Sequence, residues 1–327
     1  MKLNHTSAAL AFGVLMLHSC NDMDEISGDK VSGDSPIMVS ASRVSPFTRS
    51  YIPQGMYDNF KVYAVSEKGG SQTIVMDGYD VRFHTDTWTY VTDDQRLMYW
   101  DINADRYLFT AGAPIDAVTA ISATSVTLHL ENNTTGSAMA SEPLSVERDS
   151  PDFGKTVNFR FAYTHSMVRV AFVRDAAADV TVSNISLTPD APIASKADLT
   201  YHYDWSTTPV TAATQLNTTA SSGASLCYDE VTIPQHTTDA VLSETSYYCV
   251  PDAANHTGWS ISLMCDGEHK AASFANSSTW ESGKCYTYVF SLTEKTPKLV
   301  KVITQDTYFD CNDTVIGGEF SDADMTE

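Results

Sequence analysis

The chain has 327 residues, 43% hydrophobic and 19% charged, with a formal net charge of −21 and a pI near 4.6. That composition is globular and excludes a disordered chain, while the length suits two domains of ordinary size. So acidic a surface repels polyanions, which excludes nucleic acid as a partner.

Met1–Ser19 carries Lys2 and then an apolar run, Ala8–Leu17. The run has the length of a signal-peptide core and is too short to span a bilayer. It ends in Leu17-His18-Ser19-Cys20, a small residue before a cysteine, which looks like a lipobox. Residues 1–19 are therefore expected to be a lipoprotein signal peptide, with Cys20 acylated as the first mature residue. His18 departs from the usual pattern. Asn21–Glu25 is acidic, similar to the surface-export tag of Bacteroidales lipoproteins. Next, Ile37-Met38-Val39-Ser40-Ala41 alternates like a half-buried strand, with Ile37, Val39 and Ala41 on one side. Pro46–Ser50 follows as a polar loop containing Arg49. Locally, Arg49 reads as an ordinary solvated arginine. An anchor, a strand and a cuttable loop ahead of a large body suggest a chain that is held and then released.

The body shows no sustained helical period. Short runs rich in Val, Ile, Tyr, Phe and Thr recur between Gly, Pro, Asn and Asp. Expected strands are Phe60–Val65, Thr73–Met76, Val81–Phe83, Trp88–Val91, Leu97–Trp100, Tyr107–Ala111 and Val126–Leu130, with a turn at Lys68-Gly69-Gly70-Ser71. Ser141–Gly154 is polar and holds the expected boundary, giving domains at 50–152 and 153–327 after an arm at 20–49. The second half opens with Val157–Phe161 and Met167–Arg174, and Val180–Leu187 is expected to pair with the latter. Ala191–Ala220 reads as loops and short strands. Tyr247–Val250, Trp259–Met264, Cys285–Leu292 and Leu299–Ile303 complete the set, with Tyr286, Tyr288, Phe290 and Leu292 on one face. Many short strands in two groups predict two β-sandwiches in tandem.

Besides Cys20 the cysteines are Cys227, Cys249, Cys265, Cys285 and Cys311. Five cannot all pair within one chain, so up to two disulfides and at least one free thiol are expected. The alternative is five small core residues. No spacing suggests zinc.

Three stretches together resemble the fimbrillins, the type V pilin subunits of Bacteroidales. The first comprises Trp88-Thr89-Tyr90, Leu97-Met98-Tyr99-Trp100 and Tyr107–Pro114, with Asp101 where Pro is common and Gly112 where Tyr is common. The second is Met139-Ala140 with Val157–Phe172, including His165, and the third is Trp280–Phe290. Thr48-Arg49 stands where that family has its processing site. The resemblance spans nearly the whole chain. It implies an all-β fold of two transthyretin-like sandwiches, and a lipoprotein precursor cut between Arg49 and Ser50 by an Arg-specific protease. The cut would remove the strand holding Ile37, Val39 and Ala41. The vacated groove would then take a donor strand from the next subunit. In this chain the donor candidate is Leu299, Val300, Val302 and Ile303, with Val315-Ile316 also available. Implied partners are other fimbrial subunits, the protease, the outer membrane through the lipid at Cys20, and a host or bacterial surface receptor.

No catalytic constellation is present: there is no G-x-S-x-G, H-E-x-x-H or P-loop, and the nine histidines are scattered. No enzyme activity, cofactor or metal is expected. Two rival readings keep the fold: a lipid-anchored accessory subunit that is never cut, or a surface glycan-binding lipoprotein. The second would use Tyr201-His202-Tyr203-Asp204-Trp205 as a stacking platform, although a packed aromatic corner fits that stretch better.

Overall fold

The computed structural model describes residues 35–43, 58–85, 87–92, 94–174, 176–236, 239–251, 258–275, 279–292, 296–305 and 315–316. Among these the chain is all-β, with one 3-10 turn at Ile115–Ala117 and no α-helix.

The first large sheet has eight strands: β1 Val39–Arg43, β2 Asn59–Lys68, β3 Ser71–His84, β4 Thr87–Thr89, β5 Arg106–Ala113, β8 Met139–Ser141, β9 Leu144–Glu147 and β10 Val157–Tyr163. Its order is β1-β10-β8-β5-β2-β3-β4, with β9 also on β5. The β2–β3 hairpin turns at Gly69 and Gly70, whose φ values of +55° and +79° are the left-handed pair a tight hairpin requires. The two short strands expected at 73–76 and 81–83 are one strand, β3. Gly78, at φ +63°, lets it continue past the register shift opposite Val62–Ala64. Leu97–Trp100 is not a strand; it contributes an isolated bridge between Tyr99 and Pro36.

Alternation gives this sheet two different faces. One carries Phe60, Tyr107, Phe109, Phe159 and Phe161, which pack edge-on with Trp88 and Trp100 into an aromatic core. The other carries Thr110 and Gly112 and meets a four-stranded sheet, in the order β14-β13-β7-β6. Its strands are β6 Val118–Ser122, β7 Ser125–Glu131, β13 Ile193–Asp204 and β14 Thr211–Ser222. The 191–220 stretch is thus a long hairpin, not loops. A Cβ at Gly112 would lie 2.8 Å from Val118 Cγ2 and 3.0 Å from Val126 Cγ1. That contact explains why this chain lacks the bulkier residue common at the position in the resembled motif.

The second sandwich faces a six-stranded sheet with a five-stranded one. The former comprises β11 Ser166–Val173, β17 Ala240–Leu242, β18 Tyr247–Cys249, β21 Cys285–Ser291, β22 Lys298–Gln305 and β23 Val315–Ile316. The latter comprises β12 Val180–Pro189, β15 Leu226–Tyr228, β16 Val231–Ile233, β19 Trp259–Cys265 and β20 Glu268–Phe274. Val168, Val170, Phe172, Tyr286, Tyr288, Phe290 and Leu292 project from the first sheet against Val182, Ile185, Leu187, Ile261 and Leu263 of the second. β12 therefore faces β11 across the core instead of pairing with it; its ladders are with β15, β16 and β19. Chain order and sheet membership do not coincide. β10 follows residue 153 yet belongs to the first sheet, and β13 pairs with β7.

Thr164-His165 joins β10 to β11 and links the two sandwiches. The Ala138 N–H donates to His165 Nδ1 at 3.3 Å, and Ser137 Oγ lies 3.1 Å from the same nitrogen. Nδ1 is thus the acceptor nitrogen, and Nε2–H donates to the Glu131 carbonyl at 3.3 Å. Burial pushes the imidazole pKa down to about 4.

Candidate functional site

Residues 35–43 occupy the space between β10 and the 98–100 segment, with partners on both sides. The Ile37 N–H donates to Met98 O at 2.8 Å, and the Trp100 N–H donates to Ser35 O at 3.0 Å. On the other side the Val157 N–H donates to Met38 O at 2.8 Å. A parallel ladder then runs Val39↔Val157, Ser40↔Asn158, Ala41↔Phe159, Ser42↔Arg160 and Arg43↔Phe161. Ser40 Oγ adds a side-chain bond to Asn158 Oδ1 at 3.3 Å.

The alternation that marks this stretch as a strand also decides its burial. Aligned residues of a ladder share a face, so Val39 and Ala41 lie on the face of Val157 and Phe159, which is the aromatic-core face. Ile37 is 0% exposed and Val39 3%, whereas Met38 between them is 43% exposed. Ala41 is half-buried.

Tyr90 is the polar centre of the seat. Its hydroxyl donates to Ile37 O at 2.6 Å and accepts from the Met98 N–H at 3.2 Å. Burial raises its pKa above the ordinary phenol value, which keeps the donor proton in place. Gln95 fixes Tyr90 from behind: Nε2 donates to Tyr90 O and Asp80 O, and Oε1 accepts from the Asp80 N–H. Trp88 meets Phe60 at 4.9 Å between ring centroids. Hence Trp88, Tyr90, Met98, Tyr99 and Trp100, which the sequence marks only as motif residues, build the wall against which the first strand lies. The signal was their aromatic spacing, which does not say what they contact.

Several candidate residues lie elsewhere. Cys20, Arg49, Ser50 and Cys311 lie outside the described residues. Leu299, Val300, Val302 and Ile303 lie in β22, paired antiparallel with β21 at the edge of the chain's own six-stranded sheet. Cys227, Cys249 and Cys265 are free thiols, so the cysteines of the second half do not form two disulfides; Cys285 is disulfide-bonded. Tyr203 is buried, with its hydroxyl donating to Ser141 O, and Trp205 Nε1 donates to Ala123 O at 2.7 Å. Those rings are a packed corner, not a free platform. An open cavity of about 400 Å³ is lined by Asp116, His129, Glu131 and Asn133. Three of those side chains are engaged, His129 with Asp198, Glu131 with Lys196, and Asn133 with the Glu131 carbonyl and the Thr135 and Gly136 N–H groups. Among the described residues no group of three or more His, Cys, Asp or Glu could hold a metal ion.

Two β-sandwiches, the first of them with an N-terminal strand laid against it, define an all-β sandwich protein. Residues 48–306 match the family model described as fimbrillin-like, and the chain belongs to that family. A crystal structure of a candidate cell adhesion protein from Bacteroides uniformis is similar, with a TM-score of 0.53 and 12% identity, covering 84% of this chain and 99% of that one. Another, from Bacteroides ovatus, gives 0.52 and 12%, covering 83% and 96%. At such identities the likeness concerns the fold. No curated protein sequence matches the chain.

Proposed function

We propose that this chain is a structural subunit of a cell-surface fimbria, exported as a lipoprotein and assembled by exchange of its first strand. In this reading Cys20 carries the lipid, and an Arg-specific protease cuts between Arg49 and Ser50. The arm with Ile37, Val39 and Ala41 then leaves, and a strand of a neighbouring subunit takes its place. Family membership supports the fimbrial role and the surface location.

The observation that carries the reading is the seating of residues 35–43. A short N-terminal strand with two buried aliphatic side chains, Ile37 and Val39, closes an aromatic core, yet its seat is built wholly by later parts of the chain. Losing it would bare the Met98 carbonyl, the Trp100 and Val157 N–H groups and the Tyr90 hydroxyl beside an apolar groove. Open edges of that kind pair with another strand. Each buried aliphatic side chain contributes about 1.5–3 kcal/mol. Each ladder hydrogen bond adds about 0.5–1.5 kcal/mol. Unassisted exchange would pass through a badly exposed intermediate, so a filled seat is held kinetically.

The experiment is an intact mass and N-terminal sequence of the protein taken from the cell surface, beside recombinant precursor treated with an Arg-specific protease. A mature chain starting at Ser50, with higher-order species forming only after cutting, is expected. A mature chain still starting at acylated Cys20, with the Arg49–Ser50 bond resistant, would overturn cleavage and exchange.

That second outcome corresponds to a lipid-anchored accessory or terminal subunit. One observation favours it: β22, the donor candidate, is already paired along its length with β21.

A further inference from the structure

One long, exposed sheet edge carries no charge along its whole length. β14, Thr211–Ser222, lies at one end of the four-stranded sheet and, among the described residues, pairs with β13 alone. Nine of its twelve residues are exposed and the other three are half-buried, so nothing lies over it. Leu216 is one of those three and packs toward the core of the first sandwich. The side of β14 away from β13 is therefore a row of backbone N–H and C=O groups open to a further strand. Other outer strands are guarded by charge: β20 carries Glu268 and Lys270, and β22 carries Lys298 and Lys301. β14 has only Thr, Ala, Gln, Leu, Asn and Ser.

Charge names the occupant. The chain holds 41 Asp and Glu against 20 Lys and Arg, so two copies repel one another over most of their surfaces. Residues 205–228 contain none of the four. Along β14 two copies can therefore approach to the strand spacing of about 4.8 Å without setting like charges opposite each other. An antiparallel pair of one strand with itself closes on a two-fold axis, so the same segment serves both partners and no second feature is required. The ladder with β13 limits where that axis falls. Ala197 pairs with Thr218 and Lys196 with Ala220, which leaves Thr219 bulged between them. The regular run is Thr211–Thr218, whose middle residues are Thr214 and Gln215. With the axis at Thr214, Ala213 meets Gln215 and Ala212 meets Leu216. With the axis at Gln215, Ala213 meets Asn217 and Thr214 meets Leu216. Each of these pairs is small or uncharged, and the two-fold keeps Leu216 of both copies on one face.

We propose that β14 is a docking edge for a second copy of this chain, the two β14 strands pairing antiparallel about Thr214 or Gln215. The two four-stranded sheets then become one sheet of eight, within the ordinary range of about 2–10 strands. The contact is lateral, uses no part of the N-terminal seat, and does not depend on strand exchange there.

Two measurements on the uncut recombinant chain test it. Sedimentation equilibrium should show a mass rising from 35.7 kDa toward twice that value as concentration increases. Ala213→Lys/Gln215→Lys sets lysines opposite one another about either axis, and should weaken the dimer at least tenfold. A chain that stays monomeric at millimolar concentration overturns the proposal. So does a dimer that appears only after treatment with an Arg-specific protease, which belongs to strand exchange, or one that the lysine pair leaves unchanged. Cysteine substitution then reads the register. Residues directly opposite in an antiparallel pair stand about 4.5–5.5 Å apart at Cα, within disulfide reach. In peptide maps of oxidised protein, Thr214→Cys or Gln215→Cys should be linked to the same residue of the second copy, and Thr211→Cys should not. A self-link at neither position, or an equal one at Thr211→Cys, overturns the pairing. Should the lysine variant not fold, the cysteine variants still decide.

Discussion

The hydroxyl of Tyr90 donates a 2.6 Å hydrogen bond to the carbonyl of Ile37, fifty-three residues earlier in the chain. It is a buried polar contact between a wall residue and the strand laid against it. Its partner on the same oxygen, the Met98 N–H, belongs to the wall as well. Tyr90→Phe keeps the ring and deletes both bonds, leaving the Ile37 carbonyl and the Met98 N–H short of a partner. A loss of about 1–3 kcal/mol is expected, read as a lower midpoint in denaturant unfolding of the uncut chain. In a chain lacking residues 1–49 the same substitution should cost less, because the Ile37 carbonyl is no longer there to be stranded.

Ile37 itself is fully buried. Ile37→Ala should destabilise the uncut protein by about 2–5 kcal/mol, by lost transfer free energy and the cavity left behind. Met38→Ala, at an exposed neighbour, should stay within about 0.5 kcal/mol of wild type. Equal effects at the two positions would show that the strand is not seated by alternation.

At Gly112 the two sheets of the first sandwich approach closely, since a Cβ there would lie 2.8 Å from Val118 Cγ2. Gly112→Ala should cost about 1–3 kcal/mol through overpacking. Val118→Ala in the same chain should recover part of that loss, since it removes the atom that is met first. A double-mutant cycle on unfolding free energy checks this.

Acid should loosen the junction of the sandwiches through His165. Its folded pKa is about 4, against an ordinary 6.5 for an unfolded histidine. Between those values the unfolded chain binds the proton that the folded chain refuses, so stability rises with pH across the window. The contribution is intact above about pH 6.5 and drains as pH falls toward 4, to a total of about 3 kcal/mol. His165→Gln can still accept from Ala138 and donate to Glu131 without titrating. The stability gap between wild type and variant should therefore narrow from pH 7 to pH 4; a constant gap would refute the assignment.

Strands with buried, alternating aliphatic or aromatic residues were legible from sequence: β10, β11, β19 and β21 fall where period-2 patterns place them. The β13–β14 hairpin was not, because β14 is almost wholly exposed and its Thr, Ala and Ser carry no apolar alternation. Its order comes from eleven ladder pairs with β13, a relationship no local pattern encodes. Pairing partners were equally hidden. Val180–Leu187 alternates as a strand facing β11 must, but alternation does not distinguish a ladder neighbour from a residue across the core. The seat was half legible. Ile37 and Val39 announce a buried side, whereas Tyr90 gives no sign in sequence that its hydroxyl turns toward a carbonyl so far upstream.

β1 runs parallel to β10, while the other ladders of the eight-stranded sheet are antiparallel. Parallel ladders use evenly spaced, slanted hydrogen bonds, so a strand that took over the bonds of β1 to β10 unchanged would run in the direction of β1. Should a neighbour's strand refill this place, it would enter with its own N-to-C direction already chosen. Every subunit in a row would then point the same way, a head-to-tail contact that leaves two unlike ends. Growth and termination would be separate chemical events at opposite tips of the fibre.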